Sequence, residues 1–261
     1  MRLVCAAFIL LFIGCTGSDK KESANMPGAY KILSVSVKTD KTDTTYTNSN
    51  QLKIYTKDYM MYANINSPDS VSGFGIGSYS VDKDTVTENV IYFANDTVSR
   101  DQSSTYKLAI EKTGSGYKQF IAGMQNNAGQ KFDMTEAYDS VGTGTTSAVD
   151  GAWKLVKRYM VKGKDTTNSS GIQYKTYYAG YCIWGATWKD SLNKTHTGIG
   201  FGKFTMPADN KIKESMIAST YSQVRGHDFD IDNEMMSSDG FKQTINSPDG
   251  SKTVEVYERL K

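Results

Sequence analysis

Gly28-Ala29-Tyr30-Lys31-Ile32-Leu33 returns in this chain as Gly151-Ala152-Trp153-Lys154-Leu155-Val156, and further matches follow in fixed order. Gln51, Lys53, Tyr55, Tyr59 and Tyr62 correspond to Gln173, Lys175, Tyr177, Tyr181 and Trp184. Gly75-Ile76-Gly77-Ser78-Tyr79 corresponds to Gly200-Phe201-Gly202-Lys203-Phe204, and Glu88 to Glu214. Gly116-Tyr117-Lys118-Gln119 corresponds to Gly240-Phe241-Lys242-Gln243, and Glu136-Ala137-Tyr138 to Glu255-Val256-Tyr257. The offset runs from 119 (136 to 255) to 126 (88 to 214), a drift that turns absorb. The chain therefore holds two copies of one domain, residues 28–141 and 150–261, joined by a Gly/Thr/Ser linker at 142–149. Copies of that length exceed a solenoid repeat, so each is expected to fold independently.

What each copy folds into follows from its local pattern. With 17 Tyr, many Thr and only 4 Pro among 261 residues, the composition favours strands. In the first copy, alternating stretches bounded by turn residues predict eight strands at 29–38, 51–56, 59–65, 72–81, 84–94, 103–112, 116–124 and 130–138. Lys57-Asp58, Asp82-Lys83, Gly114-Ser115, Asp239-Gly240 and Asp249-Gly250 supply the turn chemistry. No stretch sustains a helical period. Eight consecutive hairpin-linked strands close most economically as an up-and-down barrel, which removes exposed edges. The expected class is all-β, with two tandem eight-stranded barrels.

The N-terminus carries a different signal. Met1-Arg2 is a positive start, and residues 3–14, LVCAAFILLFIG, form an apolar run ending in a small residue. The run falls short of the ~20 residues of a spanning helix, so it reads as a signal peptide at residues 1–14. Leu11-Phe12-Ile13-Gly14-Cys15 resembles the lipobox of bacterial lipoproteins, with Phe12 where leucine is usual. That resemblance implies acylation of Cys15, with palmitate-type chains, and attachment to a membrane through lipid. It also implies a cell-envelope protein of the outer-membrane lipoprotein type, its periplasmic or surface placement left open. Residues 15–27 read as a flexible tether. Cys5 would leave with the signal and Cys15 would carry lipid, so Cys182 stands alone and no disulfide is expected.

The order of motifs resembles the calycins, meaning lipocalins and fatty-acid-binding proteins, and more closely the lipocalin-like lipoproteins of Bacteroidetes. Gly151-Ala152-Trp153 is similar to their G-x-W opening, and Val256-Tyr257-Glu258-Arg259-Leu260 to their closing strand with its basic residue. Tyr59-Met60-Met61-Tyr62, Gly77-Ser78-Tyr79 and Thr87-Glu88-Asn89 stand where that group has an aromatic third strand, a G-x-Y and a T-E-x. The resemblance implies that Trp153 plugs one barrel end with Arg259 stacked across it. In the first copy Tyr30 replaces the tryptophan and Ser140 the arginine, so that end must be closed otherwise.

Chemistry is sparsely provided for. Formal charge is +2, or +1 once Arg2 leaves with the signal (29 basic against 28 acidic), which argues against a nucleic-acid-binding surface. His196 and His227 have no counterparts in the first copy, and C-x-x-C and H-E-x-x-H are absent, so neither an enzyme nor a cofactor or metal is expected. Asp228, Asp230, Asp232 and Asp239 imitate a calcium loop, but Asn233 stands at its glycine position and Phe229 and Ile231 alternate as in an outer strand face. Asp-Ser/Thr steps such as Asp43-Thr44-Thr45 and Asp165-Thr166-Thr167 resemble O-glycosylation acceptors of Bacteroidetes and serve equally as turn dipeptides. Cys182, in an apolar strand pattern, is read as core.

The candidate ligand-binding residues are Tyr55, Tyr59, Tyr62, Tyr177, Tyr181 and Trp184, with Trp188 nearby, and Glu88 and Glu214 if they point inward, where burial demands partners. An outward, solvated glutamate is the alternative. The expected function is non-enzymatic binding of a small apolar or amphipathic molecule within a barrel. The alternative is a pair of filled barrels contacting a protein or glycan through their loops, with protein partners undefined.

Overall fold

The computed structural model describes residues 26–66, 71–95, 98–125, 129–142 and 147–261. The expected signal segment, Cys15, the tether to residue 25 and linker residues 143–146 lie outside them. Every regular element among the described residues is a strand. The first copy contains β1 (Gly28–Lys38), β2 (Asp43–Tyr46), β3 (Gln51–Tyr55), β4 (Tyr59–Asn64), β5 (Gly73–Asp82), β6 (Thr85–Asn95), β7 (Ser99–Arg100), β8 (Ser104–Thr113), β9 (Gly116–Gln125) and β10 (Lys131–Ser140). The second contains β11 (Gly151–Lys162), β12 (Asp165–Asn168), β13 (Ile172–Tyr178), β14 (Tyr181–Lys189), β15 (Thr195–Ala208), β16 (Lys211–Ser219), β17 (Asp228–Ser237), β18 (Gly240–Asn246) and β19 (Lys252–Arg259).

All pairings are antiparallel between neighbours in the chain, and the ends meet: β1 pairs β10, and β11 pairs β19. The result is two closed eight-stranded up-and-down barrels in tandem. The short strands β2 and β12 fold back on β1 and β11, and β7 on β6, outside the eight that make each wall. These three short strands are additions to the sequence expectation. Asp43-Thr44-Thr45 and Asp165-Thr166-Thr167 lie in β2 and β12.

One strand of each barrel's wall, β3 or β13, is inverted relative to the usual rule. In β3 all five residues are buried. Gln51 and Lys53 point into the barrel, while Leu52 and Ile54 point out. In β13, Gln173, Lys175 and Tyr177 point in and Tyr174 points out. The outward apolar residues are covered because the barrels pack wall to wall. Leu52, Ile54, Met61, Ala63, Phe74, Ile76 and Tyr92 of the first form one continuous core with Tyr174, Ile183, Ile199, Phe201 and Ala218 of the second.

That shared core is closely fitted. The Phe74 ring occupies the space a side chain on Gly185 would need. Tyr92 and Tyr174 pack with ring centroids 5.3 Å apart, the Tyr92 hydroxyl meets Thr187 Oγ1 at 2.5 Å, and Thr197 Oγ1 donates to the Asn95 carbonyl at 2.9 Å. Either barrel alone would expose an apolar sheet face here.

A bulge interrupts the first strand of each barrel, between Ile32 and Ser34 and between Leu155 and Lys157. The extra residue reverses which parity faces inward. Tyr30 and Ile32 face in before the bulge and Val35 and Val37 after it. The same switch puts Arg158, rather than Lys157, opposite Glu255 on β19.

Candidate functional site

Both barrels carry the same polar network at their centre, assembled from the duplicated positions. In the first, Lys53 Nζ lies 2.6 Å from Glu88 and 3.2 Å from Gln119 Oε1, and Tyr55 donates to Glu88 at 2.5 Å. Gln119 donates to Glu136, Tyr138 donates to the same carboxylate at 2.9 Å, and Gln51 donates to Tyr138 at 2.5 Å. In the second, Lys175 Nζ lies 2.8 Å from Glu214 and 3.3 Å from Gln243 Oε1, and Tyr177 donates to Glu214. Gln243 and Tyr257 donate to Glu255 at 2.6 and 2.7 Å, and Gln173 donates to Tyr257 at 2.5 Å. Glu88 and Glu214 are thus inward, and both are ion-paired.

Burial pushes the Lys175 ammonium down, but the neighbouring Glu214 and Glu255 outweigh it and hold the group above its ordinary value. Burial, reinforced by Glu214, raises the Tyr177 phenol and the Cys182 thiol well above their usual ranges. Both are therefore protonated at neutral pH, which fits packing rather than nucleophilic work.

Above this network the second barrel opens into a cavity of about 690 Å³. Lys175, Glu214, Gln243 and Glu255 form its floor, and Leu155, Trp184, Met216, Phe229, Ile231 and Ile245 its apolar walls. Tyr221 and Val224, on the loop between β16 and β17, partly cap the mouth, with Tyr221 stacked on Trp184 at 6.0 Å and beside Trp188 at 6.3 Å. Glycines on β15 make room for these rings: a Cβ on Gly200 would meet Trp184 at 2.5 Å, and one on Gly198 would meet Tyr221 at 2.6 Å. Trp188 also stacks on His196, which bonds Asp190 at 2.8 Å. Arg158 stands at the rim with its side chain 41% exposed, 3.4 Å from Glu255.

A smaller hollow of about 360 Å³ adjoins the mouth, sharing Gly171, Ile172, Trp188 and Lys189 with the cavity and adding Tyr92, Ser99 and Asp101 from the first barrel. The first barrel thus contributes to the surroundings of the second barrel's opening.

The candidate residues divide by face. Trp184 and Glu214 line the cavity. Tyr177 lies beneath it in the polar network, and Tyr55 and Glu88 hold the equivalent places in the first barrel. Tyr62 faces the first barrel's interior, against Gly75 as Trp184 stands against Gly200. Tyr59 and Tyr181 do not join them: both lie outside their barrels against the shared inter-barrel core. Residues three apart in a strand cannot share a face, so Tyr59 and Tyr62, or Tyr181 and Trp184, cannot line one interior together. Lys53, Lys175, Gln173, Gln243, Glu255 and Arg158 complete the site and are not among the candidates named from the sequence. The first five were legible as repeated positions in register with Tyr55/Tyr177, Gly116/Gly240 or Tyr138/Tyr257.

At the opposite end of the second barrel the Arg259 guanidinium lies 4.0 Å from the buried Trp153 ring, and Trp153 Nε1 donates to the Val149 carbonyl at 2.8 Å. In the first barrel Tyr30 pairs Ser140 across the strands and packs edge-on against Tyr117 and Tyr55 at 5.0 and 6.1 Å. Met26, at the same place in the repeat as Val149, is buried in that cluster. The acidic stretch 228–234 lies on β17, where Asp228 pairs Lys213 at 2.9 Å and Asp232 pairs Lys211. Among the described residues no group of three or more His, Cys, Asp or Glu is placed to hold a metal ion.

No protein-family model matches the chain, and no curated protein matches it. Among solved structures, a crystal structure of a DUF3598-family protein of unknown function from Nostoc punctiforme aligns at 12% identity over 90% of this chain and 96% of that one, with a TM-score of 0.27.

Proposed function

We propose that this protein is a non-enzymatic, lipocalin-like lipoprotein of the cell envelope, held to a membrane through acylated Cys15, and that its second barrel binds one small amphipathic molecule. The observation that carries this reading is the cavity itself: about 690 Å³, apolar and aromatic on its walls, polar at its floor and open at one end. That size and mixture suit a small-molecule site. The floor is already hydrogen-bonded internally, so a ligand's apolar body gains from the walls without leaving buried charges unsatisfied.

Two of the three tryptophans, Trp184 and Trp188, line the cavity, while Trp153 is buried at the far end. Native mass spectrometry of the purified protein is expected to show a carried small molecule. Titration with the neutral probe N-phenyl-1-naphthylamine is expected to quench tryptophan emission, with the quenching reduced in Trp184→Ala and reduced further in Trp184→Ala combined with Trp188→Ala. Absence of carried mass together with no response to the probe would overturn the reading.

A further inference from the structure

The two barrels share their central network and differ at its edge. Val35 and Arg158 are equivalent: each follows the first-strand bulge and faces the same glutamate, Glu136 or Glu255, on the closing strand. In both copies that glutamate accepts from a glutamine and a tyrosine, Gln119 and Tyr138 or Gln243 and Tyr257. The first barrel has a buried valine at the place of the arginine. A second difference sits beside it. The strand register makes Asn66 the counterpart of Trp188, so the large aromatic at the mouth also belongs to the second barrel only.

The charges lining the cavity add to the contrast. Three cations, Arg158, Lys175 and Lys189, face two carboxylates, Glu214 and Glu255. Glu214 is engaged by Lys175 and Tyr177, and Glu255 by Gln243 and Tyr257, all from within the barrel. Among the described residues Glu255 is the one carboxylate within ion-pairing reach of Arg158, with Nε 3.4 Å from Oε1, and the guanidinium carries five donors in a planar fork. It stands half-exposed on the same cavity lining as Trp188 and Tyr221.

Resting on the ligand-binding reading above, we infer that the molecule taken by the second barrel carries an anionic group, a carboxylate, sulfonate or phosphate, which seats on Arg158 while its apolar body lies against Trp184, Met216 and Ile245. The selectivity is for charge at one end: a neutral molecule of the same shape fills the walls but leaves the arginine fork to water.

The test compares two fluorescent probes of similar body, anionic 1-anilinonaphthalene-8-sulfonate and neutral N-phenyl-1-naphthylamine, on the full chain and its Arg158→Gln, Arg158→Lys and Arg158→Val forms. Arg158→Val installs the residue that the first barrel already tolerates, which guards against loss of fold. The ratio of anionic to neutral probe affinity is expected to fall about tenfold or more in the glutamine and valine variants, the weight of a charge-assisted contact. In the lysine variant it is expected to recover in part. A ratio within about twofold of the parent in both variants overturns the anionic assignment while leaving the cavity reading standing. If neither probe binds the parent, the binding reading falls, and this inference with it.

Discussion

Lys175 lies 2.8 Å from Glu214 beneath the second barrel's cavity, with both side chains almost wholly withdrawn from solvent. The pair balances itself: Glu214 compensates the desolvated ammonium, and Tyr177 shares the same carboxylate. Lys175→Met is expected to cost about 3–5 kcal/mol, because it strands a buried carboxylate. Lys175→Met combined with Glu214→Leu is expected to recover most of that loss. Urea unfolding checks it: a double variant no more stable than the single one would mean that the network, and not the pair, sets the cost.

Arg259 caps the far end of the same barrel through its stacking on Trp153 and through hydrogen bonds to the carbonyls of Asp150 at 2.7 Å and Ser238 at 3.0 Å. Arg259→Ala is expected to destabilise by about 1–2 kcal/mol and to red-shift and broaden the Trp153 emission. Arg259→Lys recovers little, since an ammonium cannot lie flat on the ring and reach both carbonyls. Stability and emission unchanged in Arg259→Ala would contradict this account of the closure.

The contact of Phe74 with Gly185 joins the two barrels. Gly185→Val is expected to cost about 1–3 kcal/mol by overpacking, and Phe74→Ala about 3–5 kcal/mol through the cavity left behind. Because the two residues occupy adjoining space, the double variant should cost clearly less than the sum. Additivity in denaturant titrations would show that the barrels do not rely on this contact.

Alkaline stability follows from the buried phenols. Tyr55, Tyr117, Tyr138, Tyr177 and Tyr257 are all pushed well above the ordinary tyrosine value by burial first and by Glu88, Glu136, Glu214 or Glu255 next. Above about pH 10 the unfolded chain loses these protons while the folded chain keeps them. The unfolded state then binds fewer protons, so stability is complete below that pH and declines as pH climbs towards the folded values. Urea midpoints measured from neutral pH upward should hold steady and then fall beyond about pH 10, and phenolate absorbance of the native protein should lag that of the unfolded chain.

The barrels were legible because the repeat fixes domain number and turn residues fix strand ends. Three of the site's features were not. The polarity of β3 and β13 misleads, since Leu52 and Ile54 look like an inward face until the other barrel is known to cover them. A chain read locally carries no sign of that wall-to-wall packing. Arg158 is hidden by the bulge after Leu155: strict alternation from Trp153 points Lys157 inward, and only the extra residue corrects it. Aromatic clustering groups Tyr59 and Tyr181 with Tyr62 and Trp184, where the period of two assigns them to opposite faces.

The wall-to-wall core also sets an order of events during synthesis. The first barrel can close on itself as soon as β10 emerges, yet its outer face of Leu52, Met61, Phe74 and Ile76 has no cover until β13 to β15 are made. For that interval the nascent chain presents a finished sheet with an adhesive side, the kind of species that pairs with wrong partners. Its own second half arrives already tethered to it, so the correct cover has a concentration advantage over any stranger.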